Sequence, residues 1–217
     1  MPFFEQGNLK LYYEDVGEGE PILTNHGVME SCSYWNDTGV TAKLAEKYRV
    51  ISMDMRGHGK TVVNRRPYGY DVATMANDFG RLADFLGLDR FHILTHATGG
   101  MAGVRYAMTA SKRLISLILT DTGSATIPEI PGIDPETQGG VDEWAEGVRN
   151  STPEERIEHS RLEPGPFLFK LAEHPNNEGM WKIVDGFARQ GNPEAQAEFL
   201  LNFYADRDPM VEGLRDT

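Results

Sequence analysis

The sequence predicts an α/β protein with a mostly parallel sheet and helices on both of its faces. Residues 50–53, 91–94 and 114–120 are short apolar runs, which is typical of parallel strands buried on both sides. Between the first two runs, apolar residues recur at helical spacing from Val72 to Leu86, so one face of that segment must be buried. Strands that alternate with amphipathic helices indicate a parallel sheet covered on both faces.

Composition bounds the kind of protein and its partners. A chain of 217 residues is long enough for one sizeable core, or for a core that carries an insertion. Its net charge of −12 argues against a nucleic-acid partner, because binding to phosphate requires clustered Lys and Arg. No apolar run approaches the ~20 residues of a membrane span, and the N-terminus lacks a signal-peptide pattern. The single cysteine, Cys32, excludes an internal disulfide, so we expect a cytoplasmic protein with no membrane partner.

The first half of the chain contains strands and helices in regular order. Residues 3–14 form a predicted β-hairpin, since Gly7-Asn8 supplies the positive φ of a tight turn. Asp71 is the expected N-cap of the helix that ends at Gly87. The other predicted elements here are a strand at residues 21–24, a helix at residues 40–48 and a glycine-rich loop at residues 54–61.

The segment from Phe91 to Gly103 is the one around which the chain is organised. A strand at residues 91–94 runs through small residues into a helix predicted at residues 101–108. Such an abrupt strand-to-helix turn exposes the side chain of its middle residue beside the free N–H groups of the helix start. That middle residue is Ala97, which has neither a proton to lose nor a lone pair with which to attack.

The composition changes after Ser124, and the rest of the chain is predicted to be mostly helical. We therefore divide the chain into residues 1–124, the N-terminal part of the α/β core, and residues 125–217, a helical cap over the strand ends. Most of the cap aromatics are expected to fill its own small core, and a minority to face the sheet and line an apolar pocket. The predicted cap helices are residues 141–148, 153–161, 167–174, 180–190 and 193–204.

Three motifs between Leu9 and Thr122 resemble those of the capped α/β-hydrolase fold proteins. His26-Gly27-Val28 resembles the oxyanion loop of that family, and residues 54–61 are similar to its Asp-x-Arg-Gly-His-Gly-x-Ser loop. Residues 95–100, Thr-His-Ala-Thr-Gly-Gly, resemble its Gly-His-Ser-Met-Gly-Gly elbow. The most similar groups are esterases, lactonases, enol-lactonases and carbon–carbon bond hydrolases. The resemblance implies an α/β-hydrolase core with a helical cap.

The resemblance also implies roles for individual residues. Ala97 stands at the nucleophile position, and the N–H groups of Val28 and Thr98 are the expected oxyanion donors. Gly27 and His96 are expected to line the substrate site, Gly27 because it lets the backbone approach closely. We expect the Thr98 side chain to point away from this site. His26, His58, Asp54 and Arg56 are expected to hold the loops rather than to touch substrate.

Ala97 is the largest departure from the family pattern, and two explanations are open. Either a serine has been replaced, which would trap intact substrate, or the chain is a natural homologue without the nucleophile. The intact surroundings, His96 and Thr98 to Gly100, favour replacement. Thr95 is a smaller departure, because the family usually has glycine there.

The end of the chain is the second departure. A serine nucleophile needs a histidine base oriented by a carboxylate, and by resemblance both would follow the last strands of the sheet. None of the histidines follows such a strand. Asp208 is a weak candidate for the acid, since residues 199–211 are better explained as helix. We therefore expect the base and acid to lie beyond Thr217, in a longer protein, and residues 114–120 to form an exposed apolar edge strand.

The sequence thus predicts a hydrolase of a small apolar or aromatic carboxylic ester or lactone, here in an inactivated Ser-to-Ala form and without a cofactor. One alternative is an inactive hydrolase-fold protein that binds an apolar small molecule. A carbon–carbon bond hydrolase is another alternative. Epoxide and haloalkane chemistry is less favoured, because those relatives carry a carboxylate at the elbow. A cap that serves to form a homodimer is a third alternative.

Overall fold

The structure is a computed structural model that describes residues 3–122, 135–164, 168, 173–175 and 177–203. Within these residues seven strands form one sheet. The strands are β1 (Phe3–Gln6), β2 (Leu9–Val16), β3 (Glu20–Asn25), β4 (Tyr48–Met53), β5 (Val62–Val63), β6 (Phe91–His96) and β7 (Leu114–Thr120).

The sheet is antiparallel at one side and parallel through its centre. Its order is β1-β2-β4-β3-β6-β7, with β5 paired to β2. β2 runs antiparallel to β1, β4 and β5, whereas β4, β3, β6 and β7 are mutually parallel. The carboxyl ends of β3 and β6 therefore lie side by side, which places the segments after Asn25 and after His96 next to each other.

Helices cover the sheet and form most of the described residues after Thr122. Those of the first half are α1 (Ser33–Asp37), α2 (Val40–Leu44), α3 (Val72–Phe85) and α4 (Thr98–Ala110), and a short 3₁₀ turn spans Ser111–Arg113. Those of the second half are α5 (Pro135–Asn150), α6 (Pro153–Leu162), α7 (Asn177–Ala188) and α8 (Pro193–Phe203). The helix predicted at residues 167–174 lies largely outside the described residues.

Local sequence signals explain several of these boundaries. The Asp71 side chain accepts the Thr74 N–H at 2.7 Å, so it caps α3 as predicted. Gly7 has a φ of +64° in the β1–β2 turn, which confirms the predicted hairpin. The prediction of one helix over residues 40–48 was too long, because α2 ends at Leu44 and β4 already begins at Tyr48.

The main hydrophobic core lies between the sheet and the helices of both halves of the chain. From the first half it includes Phe79 of α3 and Phe91 of β6, both fully buried. From the second half it includes Phe199 and Phe203 of α8. Because aromatic residues bury a large apolar area, these two side chains attach α8 to the α/β core.

The other face of α8 belongs to a smaller cluster. Ala197 and Leu200 pack there against residues of α5, and Val28 and Met29 lie at the edge of the same cluster. Both aromatic residues of α8 thus lie in the main core, so for this helix the expectation that most cap aromatics fill a core of their own was wrong. The loop after β3 also contacts the helices of the second half.

β7 lies at the edge of the sheet among the described residues. It pairs there with β6, and its Ile118 and Leu119 side chains are 44% and 42% exposed. The exposed apolar edge expected from the sequence is thus present in the described part of the chain. In that same part, none of the helices has both the length and the apolar character that crossing a membrane requires.

Candidate active site

The chain turns sharply at Ala97, between β6 and α4. Ala97 has φ +46° and ψ −119°, a conformation that L-residues rarely adopt and that costs about 1–3 kcal/mol. Its N–H donates to the Thr120 carbonyl at 3.0 Å, and its own carbonyl accepts the Thr122 hydroxyl at 2.6 Å. The neighbouring strand β7 and the residues after it therefore hold the bend. The Ala97 side chain remains partly exposed, as the sequence predicted.

Close backbone approaches bring the loop after β3 onto the start of α4. The Gly99 N–H donates to the His26 carbonyl at 3.1 Å, and a Cβ added to Gly99 would lie 2.5 Å from that oxygen. A Cβ added to Gly27 would lie 3.1 Å from the Ala97 Cβ. Glycine is needed at both positions because any side chain would separate the loop from the helix.

The two predicted oxyanion donors are adjacent in space. The Val28 N–H donates to the Thr98 hydroxyl at 3.2 Å, and Thr98 is buried. The Thr98 N–H is the first of α4, which the helix itself leaves without an acceptor. The expectation that the Thr98 side chain points away was wrong, because its hydroxyl faces the loop and occupies the Val28 donor.

His26 and Asp54 fix the loops that surround the bend. The His26 Nδ1–H donates to the Gly27 carbonyl at 2.7 Å, and its Nε2 accepts the Met55 N–H at 3.0 Å. Burial, followed by the nearby His58, lowers the pKa of His26 well below its ordinary value, so the ring stays neutral. The Asp54 carboxylate accepts the N–H groups of Cys32 and Lys60, each at 2.7 Å, while burial raises its pKa.

Arg56 and His58 belong to the same framework. Arg56 forms a two-point ion pair with Asp78 at 2.6 and 3.0 Å, and both side chains are 4% exposed. The His58 Nδ1–H donates to the Arg56 carbonyl at 3.0 Å, and burial lowers the pKa of His58 to about 4. These contacts link α3 to the loop after β4, which is a structural role of the kind expected for both residues.

Glu30 is part of the site although sequence reasoning did not identify it. Its Oε2 accepts the Gly27 N–H at 2.6 Å, and its Oε1 lies 3.4 Å from the His96 Nε2. A Cβ added to Gly27 would lie 2.9 Å from Glu30 Oε2, so the carboxylate and the Ala97 methyl face the same point. The available signal was an acidic residue three positions after Gly27, the spacing at which a side chain reaches back to an N–H.

His96 is held by aromatic stacking and by charge. Its ring stacks on Tyr34 with centroids 4.6 Å apart, and its side chain is 17% exposed. Burial disfavours the protonated ring, but the hydrogen bond and charge of Glu30, together with Asp121, outweigh burial and raise the pKa of His96. His96 therefore pairs with Glu30 and lies beside the bend at Ala97, while its contact with substrate stays a prediction.

The helices of the second half contact this site from the side of the strand ends. The Ser31 hydroxyl donates to the Gln190 Oε1 at 2.8 Å, and Tyr34 lies 6.4 Å from Phe187 between ring centroids. Further along, the His58 ring meets Phe199 edge-on with centroids 4.5 Å apart. The loops after β3 and β4 are thus covered in part by α7 and α8.

Three remaining sequence predictions concern residues near the bend or beyond it. Cys32 is buried, and burial raises the pKa of its thiol, so it is a packing residue rather than a nucleophile, as expected. Thr95 is accommodated by Gly103, where an added Cβ would lie 3.2 Å from the Thr95 Cγ2. Asp208, the candidate acid, lies outside the described residues.

The mostly parallel sheet, with its central strand turning at Ala97 into a helix beside the loop after β3, defines an α/β-hydrolase fold. The chain belongs to the family described as the alpha/beta hydrolase fold, whose model matches residues 20–211.

The chain spans only part of the length of the individual relatives that it matches. The chain is 32% identical over 121 residues to a candidate carbamate hydrolase, RutD, of Azorhizobium caulinodans, which is 56% of this chain and 44% of that protein. It thus spans less than half of this curated relative. A thermophilic esterase from Thermogutta terrifontis, solved with malate bound, superposes with a TM-score of 0.73 at 26% identity. The matched region is 92% of this chain and 69% of the esterase chain.

A second solved structure shows the same fold at lower identity. The enol-lactonase from Burkholderia xenovorans LB400 has a TM-score of 0.72 at 19% identity, covering 98% of this chain and 75% of its own. At that identity the likeness concerns the fold alone.

Proposed function

We propose that the protein to which this chain belongs hydrolyses a small carboxylic ester or lactone by serine-type acyl transfer, with residue 97 at the nucleophile position. The observation that supports this most is the strained bend at Ala97, placed against Gly27 and Val28. Strain of this kind persists only where the surrounding structure imposes it, and it is concentrated at functional sites. An esterase among the similar structures agrees with this substrate class.

The proposal gives each part of the site a role. A serine at position 97 would attack the carbonyl carbon, and the N–H groups of Val28 and Thr98 would receive the negative charge on the oxygen. For this the Val28 N–H must leave the Thr98 hydroxyl, to which it donates at 3.2 Å. With Ala97 the site binds substrate but forms no acyl-enzyme.

In this proposal the helices of the second half form a cap over the site. α7 and α8 contact the loops after β3 and β4, the place from which substrate would approach Ala97. Water exclusion by such a cover strengthens the interaction of the oxyanion with its donors. The histidine base and the carboxylate that a serine requires would come from residues outside the described part of the chain.

Restoring the serine tests this proposal. In the whole protein, which must also supply the histidine base and the carboxylate, Ala97→Ser should release p-nitrophenol from p-nitrophenyl acetate in a burst of about one equivalent, with an acetyl group detected on the protein by mass spectrometry. Ala110→Ser, which adds the same hydroxyl at the far end of α4, is the matched control and should show no burst. Ala97→Ser without turnover or acylation on a panel of esters and lactones would contradict the proposal.

A second candidate function is the binding of an apolar small molecule without turnover. Ala97 itself favours it, because the site keeps its framework while lacking a nucleophile. Tight binding of a ligand, measured by calorimetry, together with an inert Ala97→Ser variant would select this function.

A further inference from the structure

We propose that Glu30 is a general base that lets this chain hydrolyse activated esters directly with water, without a nucleophile at position 97. The inference rests on the proposed function for its substrate class and for the oxyanion donors, Val28 and Thr98. It differs in the reaction, because water attacks the substrate and the protein is never acylated.

The position of the Glu30 carboxylate is the first argument. Oε2 is held by the Gly27 N–H at 2.6 Å and faces the point beside the Ala97 Cβ at which a Cβ on Gly27 would lie. The Glu30 side chain is only 18% exposed, so the carboxylate belongs to the site rather than to the surface. An ionised carboxylate has about four lone-pair positions, which leaves acceptors available for a water after the bonds to Gly27 and His96.

The second argument is the space that Ala97 leaves. Its side chain ends at Cβ and is only partly buried, so in the proposed reaction a water molecule takes the place that a serine hydroxyl would occupy. The Glu30 carboxylate lies beside this position, whereas both nitrogens of His26 are already hydrogen-bonded, to the Gly27 carbonyl and the Met55 N–H. A substrate carbonyl held by the oxyanion donors would place its carbon next to that water.

The reaction balances with water as the only co-reactant. Glu30 takes a proton from the water while the water oxygen bonds to the carbonyl carbon. The carbonyl π electrons move to the carbonyl oxygen, which becomes the oxyanion. The tetrahedral intermediate collapses with cleavage of the carbon–oxygen bond to the leaving group. Glu30 then returns the proton, either to the leaving alkoxide or, for a phenolate, to solvent, and is ready for another cycle.

His96 is a positioning residue in this scheme. Its Nε2 lies 3.4 Å from Glu30 Oε1, and its stacking on Tyr34 fixes the ring. The groups that face His96 are the carboxylates of Glu30 and Asp121, the Thr120 hydroxyl at 3.5 Å from Nδ1, the Tyr34 ring and the neutral His26. A protonated His96 would balance the charge of Glu30 and hold the carboxylate toward Ala97.

The test uses the chain with Ala97 in place and p-nitrophenyl acetate as the probe. The chain should turn over slowly, without a burst and without an acetyl adduct, and Glu30→Gln should lower the rate by about 10²-fold or down to the buffer rate. Glu20→Gln is the matched control, because Glu20 forms the same kind of pair with His92, at 3.1 Å, at the opposite ends of β3 and β6. It should leave the rate unchanged.

Two further variants keep the proposal falsifiable. Glu30→Asp keeps the charge but shortens the reach, so it should lose most of the rate while circular dichroism stays unchanged. His96→Gln should lower the rate less than Glu30→Gln and should change the pH–rate profile, which a purely structural role would not do. The proposal is overturned if Glu30→Gln retains the rate of the parent chain, or if the parent chain does not exceed the buffer rate.

Failure of the proposal for Glu30 is distinguishable from failure of the proposed function. An Ala97→Ser variant that gives an acyl burst beside an inert Ala97 chain would uphold the serine mechanism and eliminate the role of Glu30. Turnover of the Ala97 chain that depends on Glu30, with an Ala97→Ser variant that never becomes acylated, would do the reverse.

Discussion

The loops after β3 and β4 and the helices α5–α8 are held in place by different kinds of contact. The loops are joined by buried polar groups, such as the Arg56–Asp78 pair and the hydrogen bonds of His26. The helices α5 and α8 pack through apolar residues and also carry more exposed ion pairs, those of Arg149 with Glu146, Glu194 and Glu198. Desolvated pairs are costly to break, whereas exposed pairs contribute about 0–1 kcal/mol.

The buried polar contacts are concentrated around the candidate site. The N–H groups proposed to bind an oxyanion belong to the loop after β3 and to the start of α4, where the buried polar contacts lie. The ion pairs of Arg149 in α5 are more exposed, although α8 is also attached to the core by Phe199 and Phe203.

Removing the same kind of charge from each region should give the largest contrast. Asp78→Asn leaves Arg56 buried without its carboxylate and should lower the free energy of unfolding by about 3–5 kcal/mol. Glu194→Gln removes a 65% exposed carboxylate that lies 3.0 Å from Arg149, so it should cost less than about 1 kcal/mol. Urea unfolding of both variants measures the contrast, and equal losses would contradict it.

Acid should weaken the loops through their buried histidines. The pKa of His58 is lowered from 6.5 to about 4, so the unfolded chain binds a proton before the folded chain does as the pH falls. Stability from this residue is therefore complete above pH 6.5 and is lost between 6.5 and about 4, by up to about 3 kcal/mol.

His58→Phe checks this sign. The variant is expected to be less stable than the parent at pH 7, since the bond to the Arg56 carbonyl is gone, but its stability should fall less steeply between pH 6.5 and 4.5. Unfolding free energies measured at several pH values give the slope. An unchanged slope would show that His58 does not contribute to the acid sensitivity.

Adding one methyl group should have opposite effects in the two regions. Gly99→Ala places a Cβ 2.5 Å from the His26 carbonyl oxygen, so the loop and α4 must separate, at a cost of about 2 kcal/mol. Gly147→Ala lies in α5 with no atom within 4 Å of the new Cβ, and it should stabilise the protein by about 0.5–1 kcal/mol through helix propensity. Thermal unfolding of both variants decides this, and a stabilised Gly99→Ala would refute the close packing.

Local rules accounted for much of the fold. Asp71 caps α3 through an N–H three residues away, and Gly7 allows the β1–β2 turn, so both could be predicted from neighbours in the sequence. α1 was missed because five residues carry too little periodicity to be recognised. The depth of Phe199 was not predictable, because helical periodicity indicates a buried face but not which core receives it.

The candidate site could likewise be predicted from the sequence only in part. Ala97, Val28, Thr98, Gly27 and His96 were brought together in prediction because a strand-to-helix turn and a strand-ending loop at neighbouring strands must meet. The Thr98–Val28 hydrogen bond and the Glu30–His96 pair were missed. Each joins residues 66–70 positions apart, whose side-chain directions depend on the exact spacing of β3 and β6.

The sequence by itself determined the alternation of strands and helices, the position of the bend and the absence of a nucleophile at residue 97, since these follow from residue type and short-range spacing. Only the tertiary structure decided that Glu30 faces that bend and that the Thr98 hydroxyl occupies the Val28 N–H. The physical reason is that these contacts are set by backbone approaches at Gly27 and Gly99, which no local pattern encodes.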